Sequence, residues 1–214
     1  MTTVAGMDVG KTCHFVVLAK VGKYTHVVYT EKIENSRAQP ATPKVLDRVT
    51  YFKVTRMCID AGPDLTLVNQ LVDARPFISA VVYVRSIKGI AIYEEKEEGR
   101  VINADRTKTL SELLGKHNSG EIRYPMNEDV KEEVFAHLAT TKKIRERSAD
   151  GSMIERFIKT KSEDHWVHAL NYGNIAAMAS DYCSGQLIPD TDLSFSSAST
   201  GAIPPLKVCG RSVL

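Results

Sequence analysis

The segment from residue 54 to residue 84 limits the possible folds of this chain more than any other. Val54-Thr55-Arg56-Met57-Cys58-Ile59-Asp60 is a short buried-strand pattern that stops on an acid. Leu65, Val68, Leu71 and Val72 then recur at helical spacing within residues 64–74, and residues 79–84 are apolar and β-branched. Strand, helix and strand in succession close as a parallel crossover, with a helical layer packed on a sheet. The fold class expected is therefore α/β.

The flanking sequence extends this unit. Residues 4–10, 13–18 and 24–33 are β-rich runs split by Gly10-Lys11 and Gly22-Lys23, the pattern of an antiparallel three-strand meander. Residues 40–43 break the chain, and 44–52 read as a helix. Farther on, residues 87–93 and 100–102 flank an acidic turn at 94–99. A helix is expected over 105–116, a short strand over 122–124 and a second helix over 127–139. Residues 142–147 and 153–159 lie on either side of Ala149-Asp150-Gly151, a good turn for an extra β-hairpin, and a last helix spans 164 to about 179. The expectation is a mixed central sheet flanked by helices. Residues 181–214 are rich in Ser, Gly and Pro with no sustained apolar period, so the domain is expected over 1–180 and a flexible C-terminal tail over 181–214.

Charge narrows the partners. With 28 Lys+Arg against 26 Asp+Glu the net charge is only +2, which excludes a basic coat-like protein and leaves nucleic-acid contact to local patches. No run of 18 apolar residues exists, and Met1 to Asp8 lack the features of a signal peptide, so no membrane partner and a cytoplasmic location are expected. Cys13, Cys58, Cys183 and Cys209 are scattered without a CxxC pair, which fits reduced thiols rather than a disulfide frame or structural zinc.

Three places carry chemistry. Gly10-Lys11-Thr12 resembles the end of a phosphate-binding loop, but Gly6 makes that loop one residue too short. Asp8 and Asp60 each end a β run. A lone aspartate there is ordinarily a turn or cap residue. Two on strands that a sheet can set side by side repel unless a cation neutralises them, and hard oxygen donors suit Mg²⁺ or Mn²⁺. In Ser162-Glu163-Asp164-His165-Trp166-Val167-His168, Asp164 and His168 are four apart on one helix face, with His165 three before His168. Capping by Ser162 or Asp164 with solvated histidines accounts for this as well as metal ligation does, and no HExxH order is present. An actin-like Mg-nucleotide domain also opens on a strand-ending Asp and Gly. That class needs a second glycine-rich phosphate loop, where Asp60-Ala61-Gly62-Pro63 loses an N–H to proline.

Met7-Asp8-Val9-Gly10, Cys58-Ile59-Asp60-Ala61-Gly62-Pro63, Asn103-Ala104-Asp105-Arg106-Thr107-Lys108-Thr109-Leu110 with Gly120-Glu121-Ile122-Arg123-Tyr124-Pro125, and Glu163-Asp164-His165-Trp166-Val167-His168-Ala169-Leu170-Asn171-Tyr172 resemble, in order, the marks of the nuclease domain of tailed-bacteriophage terminase large subunits. The resemblance implies a ribonuclease H-like fold and two-metal, Mg²⁺- or Mn²⁺-dependent endonucleolytic cutting of concatemeric viral double-stranded DNA during genome packaging. It implies catalytic and metal-ligand roles for Asp8 and Asp60, completed by Asp164 and His168. The partners implied are the terminase ATPase domain, the small subunit and the portal protein, in the host cytoplasm. No Walker A or B stretch is present, so the chain resembles the nuclease half alone. Many members carry an acid where His168 stands, which leaves the third ligand open between Asp164 and His168 and favours Mn²⁺. DNA grip is expected from Lys142, Lys143, Arg145 and Arg147 on the hairpin, with Arg156, Lys159 and Lys161 beyond its turn. A non-catalytic DNA-binding packaging component is the other alternative.

Overall fold

The structure, a computed structural model, describes residues 2–85, 87, 91–125, 128–147, 151, 153–159 and 163–184. In chain order the elements are β1 (Thr2–Asp8), β2 (Thr12–Val21), β3 (Tyr24–Glu34), α1 (Thr42–Tyr51), β4 (Arg56–Asp60), α2 (Leu65–Ala74), β5 (Ile78–Val84), β6 (Tyr93–Lys96), β7 (Val101–Asp105), α3 (Arg106–Asn118), β8 (Ile122–Arg123), α4 (Glu128–Thr140), β9 (Thr141–Arg147), β10 (Met153–Lys159) and α5 (His165–Ser184). Local chemistry accounts for most boundaries. Gly22 takes φ +59 in the β2–β3 turn, a conformation that costs glycine no strain. Pro43 lies in the first turn of α1, where its missing N–H is harmless. Asp64 and Asp105 accept hydrogen bonds from the backbone N–H of Leu67 and Lys108, both three residues on, and so cap α2 and α3.

The main sheet has eight strands in the order β6-β7-β5-β4-β1-β2-β3-β8. The meander β1-β2-β3 is antiparallel as expected, while β4 adds to β1 in parallel and β5 and β7 continue that direction. The helical crossover from β4 to β5 is the unit read from residues 54–84. β6 closes one edge antiparallel to β7, through a tight 3-10 turn at Glu97–Gly99. β9 and β10 form the separate hairpin. Its turn at residues 148–150 lies outside the described residues, as do residue 86 and residues 88–90 of the expected 87–93 strand. The expected tail can be followed only in part: α5 continues to Ser184, past the 180/181 boundary, and residues 185–214 lie outside the described residues.

Strand parity divides the core in two. Ala5, Met7, Phe15, Met57, Ile59 and Ile78 face α1 and α2. Val4, Val16, Leu18, Cys58, Val81 and Ile102 face α3, α4 and α5. By the same alternation Gly6 and Asp8 on β1, His14 on β2 and Asp60 on β4 belong to the α5 side.

Helix α5 rests on β1 backbone to backbone. A Cβ on Gly6 would fall 2.2 Å from both Ala169 O and Gly173 N, and one on Gly173 would fall 2.7 Å from Leu18 Cδ1. At Gly6 the obstacles are backbone atoms that cannot give way, so only glycine lets the helix sit this low, whereas at Gly173 the Leu18 side chain would have to shift. Gly6→Ala should therefore cost about 3 kcal/mol in urea unfolding, at the upper end of overpacking penalties. Gly115→Ala, on an exposed turn of α3 with open space around its Cβ, should instead gain about 0.5–1 kcal/mol.

Candidate metal centre

Asp8 is the last residue of β1, and the sheet register sets its neighbours. It pairs directly with His14 across β2. Met7 pairs with Ile59 on β4, so the next positions, Asp8 and Asp60, stand beside one another on adjacent strand ends. The Gly62 N–H donates to Asp60 Oδ1 at 3.1 Å and holds that carboxylate at the start of the following loop. Above them α5 begins: the Asp164 carbonyl accepts from the Val167 and His168 amides at 3.0 and 3.2 Å. The next residue, His165, places its Nδ1 2.8 Å from Asp8 Oδ2. The partial positive charge of the helix N-terminus thus lies over the carboxylates.

Burial sets the electrostatics. Asp8 is only 8% exposed, and desolvation raises its pKa, the His165 hydrogen bond and the His168 and His165 rings working against that and the Asp60 charge adding to it. His14 is 4% exposed; burial, then His165 and Lys32, push its pKa down to about 4, so it is neutral at physiological pH. Its ring stacks on His165 with centroids 4.9 Å apart and meets Trp166 edge-on at 4.7 Å. His14 Nδ1 is buried without a hydrogen-bond partner among the described residues. One donor atom each from Asp8, His14 and His165 lie within 4.8 Å of one another.

Asp164 and His168 sit together one turn apart at the start of α5, with His168 Nε2 3.4 Å from Asp164 Oδ2. Arg106, the first residue of α3, brings Nη2 to 3.5 Å from the same nitrogen. On its other side His168 Nδ1 lies 3.4 Å from the Tyr83 hydroxyl, which accepts a hydrogen bond from Asn171 Nδ2 at 2.8 Å. Burial raises the Tyr83 pKa, so that hydroxyl keeps its proton. The structure therefore brings Asp8 beside Asp60, and Asp164 beside His168, whereas the ring in contact with Asp8 is His165. His14, His165 as a partner of Asp8, and Arg106 were not singled out by sequence reasoning. His14 alternates with Val16 and Leu18 on the α5 face, and that parity was the available signal.

The basic hairpin is less free than its composition implies. Lys143 and Arg145 both pair with Glu155 across the strands, the latter at 2.6 Å, and Arg156 pairs with Glu146 at 2.7 Å. Lys142 and Arg147 make no ion pair among the described residues. The base of the hairpin adjoins the site: Phe157 is buried in the α5-side core, and Arg106 Nη1 lies 3.4 Å from its carbonyl.

The raised pKa of Asp8 has a thermodynamic sign. Its contribution to stability is most favourable at pH below the ordinary carboxylate range and is lost as pH rises through the raised value. In chelator at pH 7, Asp8→Asn should therefore melt at a higher temperature than the parent, and scanning calorimetry should show that gap narrowing toward pH 4.

No protein-family model matches the chain, and no curated protein matches it in sequence. Among solved structures, the large terminase nuclease from thermophilic phage G20c aligns over 81% of both chains with a TM-score of 0.55 at 13% identity. The same nuclease with bound cobalt aligns over 80% of this chain and 79% of that one, with a TM-score of 0.50 at 13% identity. A large terminase from a second thermophilic bacteriophage gives 0.51 at 12% identity, over 82% of this chain and 39% of the longer protein. The likeness is one of fold: this chain has the ribonuclease H-like fold of phage large terminase nucleases.

Proposed function

We propose that the chain is a divalent-metal-dependent endonuclease that cuts concatemeric viral double-stranded DNA during genome packaging, the nuclease part of a terminase large subunit. The observation that carries this reading is the placement of Asp8 and Asp60 on the ends of adjacent strands, one position beyond the Met7–Ile59 pair, beneath the N-terminus of α5. The shared fold with phage terminase nucleases supports it, one of which was solved with bound cobalt.

The donor set fits divalent cations. Two neighbouring carboxylates, one of them buried where ionisation is disfavoured, gain from a compensating positive charge, and their oxygen atoms suit Mg²⁺ or Mn²⁺. Bound there, a pair of such ions would supply the charge that offsets a pentacovalent phosphate and would acidify water at neutral pH. Asp8 and Asp60 would hold the ions, and Asp164 and His168 would complete the ligand set from α5. Tyr83, held by Asn171, and Arg106 fix the orientation of the His168 ring. The guanidinium of Arg106 is also suited to a phosphate oxygen of the scissile strand. Lys142, Lys143, Arg145 and Arg147 grip the DNA backbone outside the site. The terminase ATPase domain, the small subunit and the portal are the partners of this reading, and the host cytoplasm its place. An Mg-nucleotide site is not favoured, because the Gly62 amide that a phosphate loop would use is donated to Asp60.

Asp8→Asn and Asp60→Asn should each keep the fold and reduce Mn²⁺-dependent plasmid cleavage by at least about a hundredfold, as loss of a metal-bound catalytic group does. Full activity in either variant sinks the reading. For the hairpin, Lys142→Ala with Arg147→Ala should lower the salt slope of DNA binding by up to about 1.8, near 0.9 for each phosphate contact. Lys143→Ala with Arg145→Ala should lower it less, since Glu155 already engages both cations.

A further inference from the structure

We propose that Asp8, His14 and His165 form a binding site for a first-row transition-metal ion of the Mn²⁺, Co²⁺ and Zn²⁺ class, built on the β2 side of Asp8 and distinct in its donors from the carboxylate pair on the β4 side. One carboxylate and two imidazoles come together here from three elements. Asp8 and His14 are a cross-strand pair of the β1–β2 ladder, and His165 descends from the first turn of α5. Their donor atoms already lie within 4.8 Å of one another. Two donors on one ion with bonds of about 2.0–2.1 Å stand at most about 4.2 Å apart, so the side chains need to close by roughly half an ångström or more, and the His165 ring, stacked 13° from the His14 plane, has to turn so that both nitrogens aim at one ion. His165, whose side chain is 39% exposed, has room to make that movement.

His14 supplies the second observation. A buried ring nitrogen normally finds a hydrogen-bond partner, because leaving one unmet forfeits its hydration. His14 is 4% exposed, sits on the α5 face between the sheet and Trp166, and leaves Nδ1 unmet among the described residues. A phenyl ring would fill that space without the loss. An imidazole there gains its justification from a ligand, and two imidazoles with one carboxylate select the borderline ions over Mg²⁺ and Ca²⁺, which prefer oxygen. Asp8 is then shared: Asp60 flanks it on one side with oxygen donors, His14 and His165 on the other with nitrogen donors. The inference does not depend on what the site cuts, because it rests on the donors alone.

The test is binding of Co²⁺ to the chelator-stripped full chain, followed by d–d absorption and by calorimetry, with circular dichroism to verify folding of each variant. The expected result is one Co²⁺ per chain that excess Mg²⁺ does not displace. His14→Gln and His165→Gln should each weaken it by at least about tenfold, while Asp60→Asn leaves it within that margin. His165→Gln keeps the test decisive if His14→Gln fails to fold, since His165 is only half-buried. Parent-like Co²⁺ affinity in the folded histidine variants overturns the proposal and leaves the lone His14 nitrogen to a water molecule. Displacement by equimolar Mg²⁺ overturns it equally. Absence of plasmid cleavage by the parent chain, with Co²⁺ bound as expected, would instead count against the nuclease reading alone.

Discussion

The contact between Gly6 and Gly173 sets the height at which α5 lies over the sheet, and the whole centre is measured from it. From Gly6 to Asp8 is two strand residues, about 7 Å of rise. From Ala169, whose carbonyl touches the Gly6 position, back to His165 is four helix residues, about 6 Å. Helix and strand run in opposite senses, so these similar lengths bring the first turn of α5 over the end of β1. A side chain at Gly6 would lift the helix and draw His165 away from Asp8. Gly6 is thus a structural requirement of the site although it carries no functional group.

What is assembled at that point is unfavourable by itself. A carboxylate with 8% exposure lies beside a second carboxylate and next to a neutral, buried imidazole. The helix N-terminus and the His165 hydrogen bond relieve part of the cost. The remainder is the kind of stored tension that folded proteins keep where a ligand will relieve it. Hydrophobic cores on both faces of the sheet hold the strands in register against that tension.

Much of the fold was legible in the sequence because its cues are local. The glycine turns of the meander, Asp64 and Asp105 three residues before the amides they cap, and the crossover over residues 54–84 all act within one element or between neighbours. Asp8 and Asp60 were legible as strand-ending acids, since parallel strands place their ends together. The pairing of β8 with β3 was not: a two-residue strand joins a partner almost a hundred positions earlier, and no local pattern encodes that. His14, and His165 as the partner of Asp8, were missed for a related reason. Their meeting depends on how low α5 sits, and the sequence shows that only as two isolated glycines. The hairpin was legible as a shape, but its charges were counted as free when half of the four named cations are tied to Glu155.

Those ties bear on how the hairpin would treat a polyanion. Its two strands carry six cations and two carboxylates, with both carboxylates lodged among the cations. Glu146 and Glu155 are in effect tethered counterions at high local concentration. A phosphate arriving at Arg145 or Arg156 does not meet a bare charge; it exchanges with a carboxylate that returns as soon as the phosphate leaves. Attraction at long range follows the net positive charge, while adhesion at contact follows the smaller difference between two anions competing for one cation. A surface built this way would hold a charged polymer loosely and let it move along.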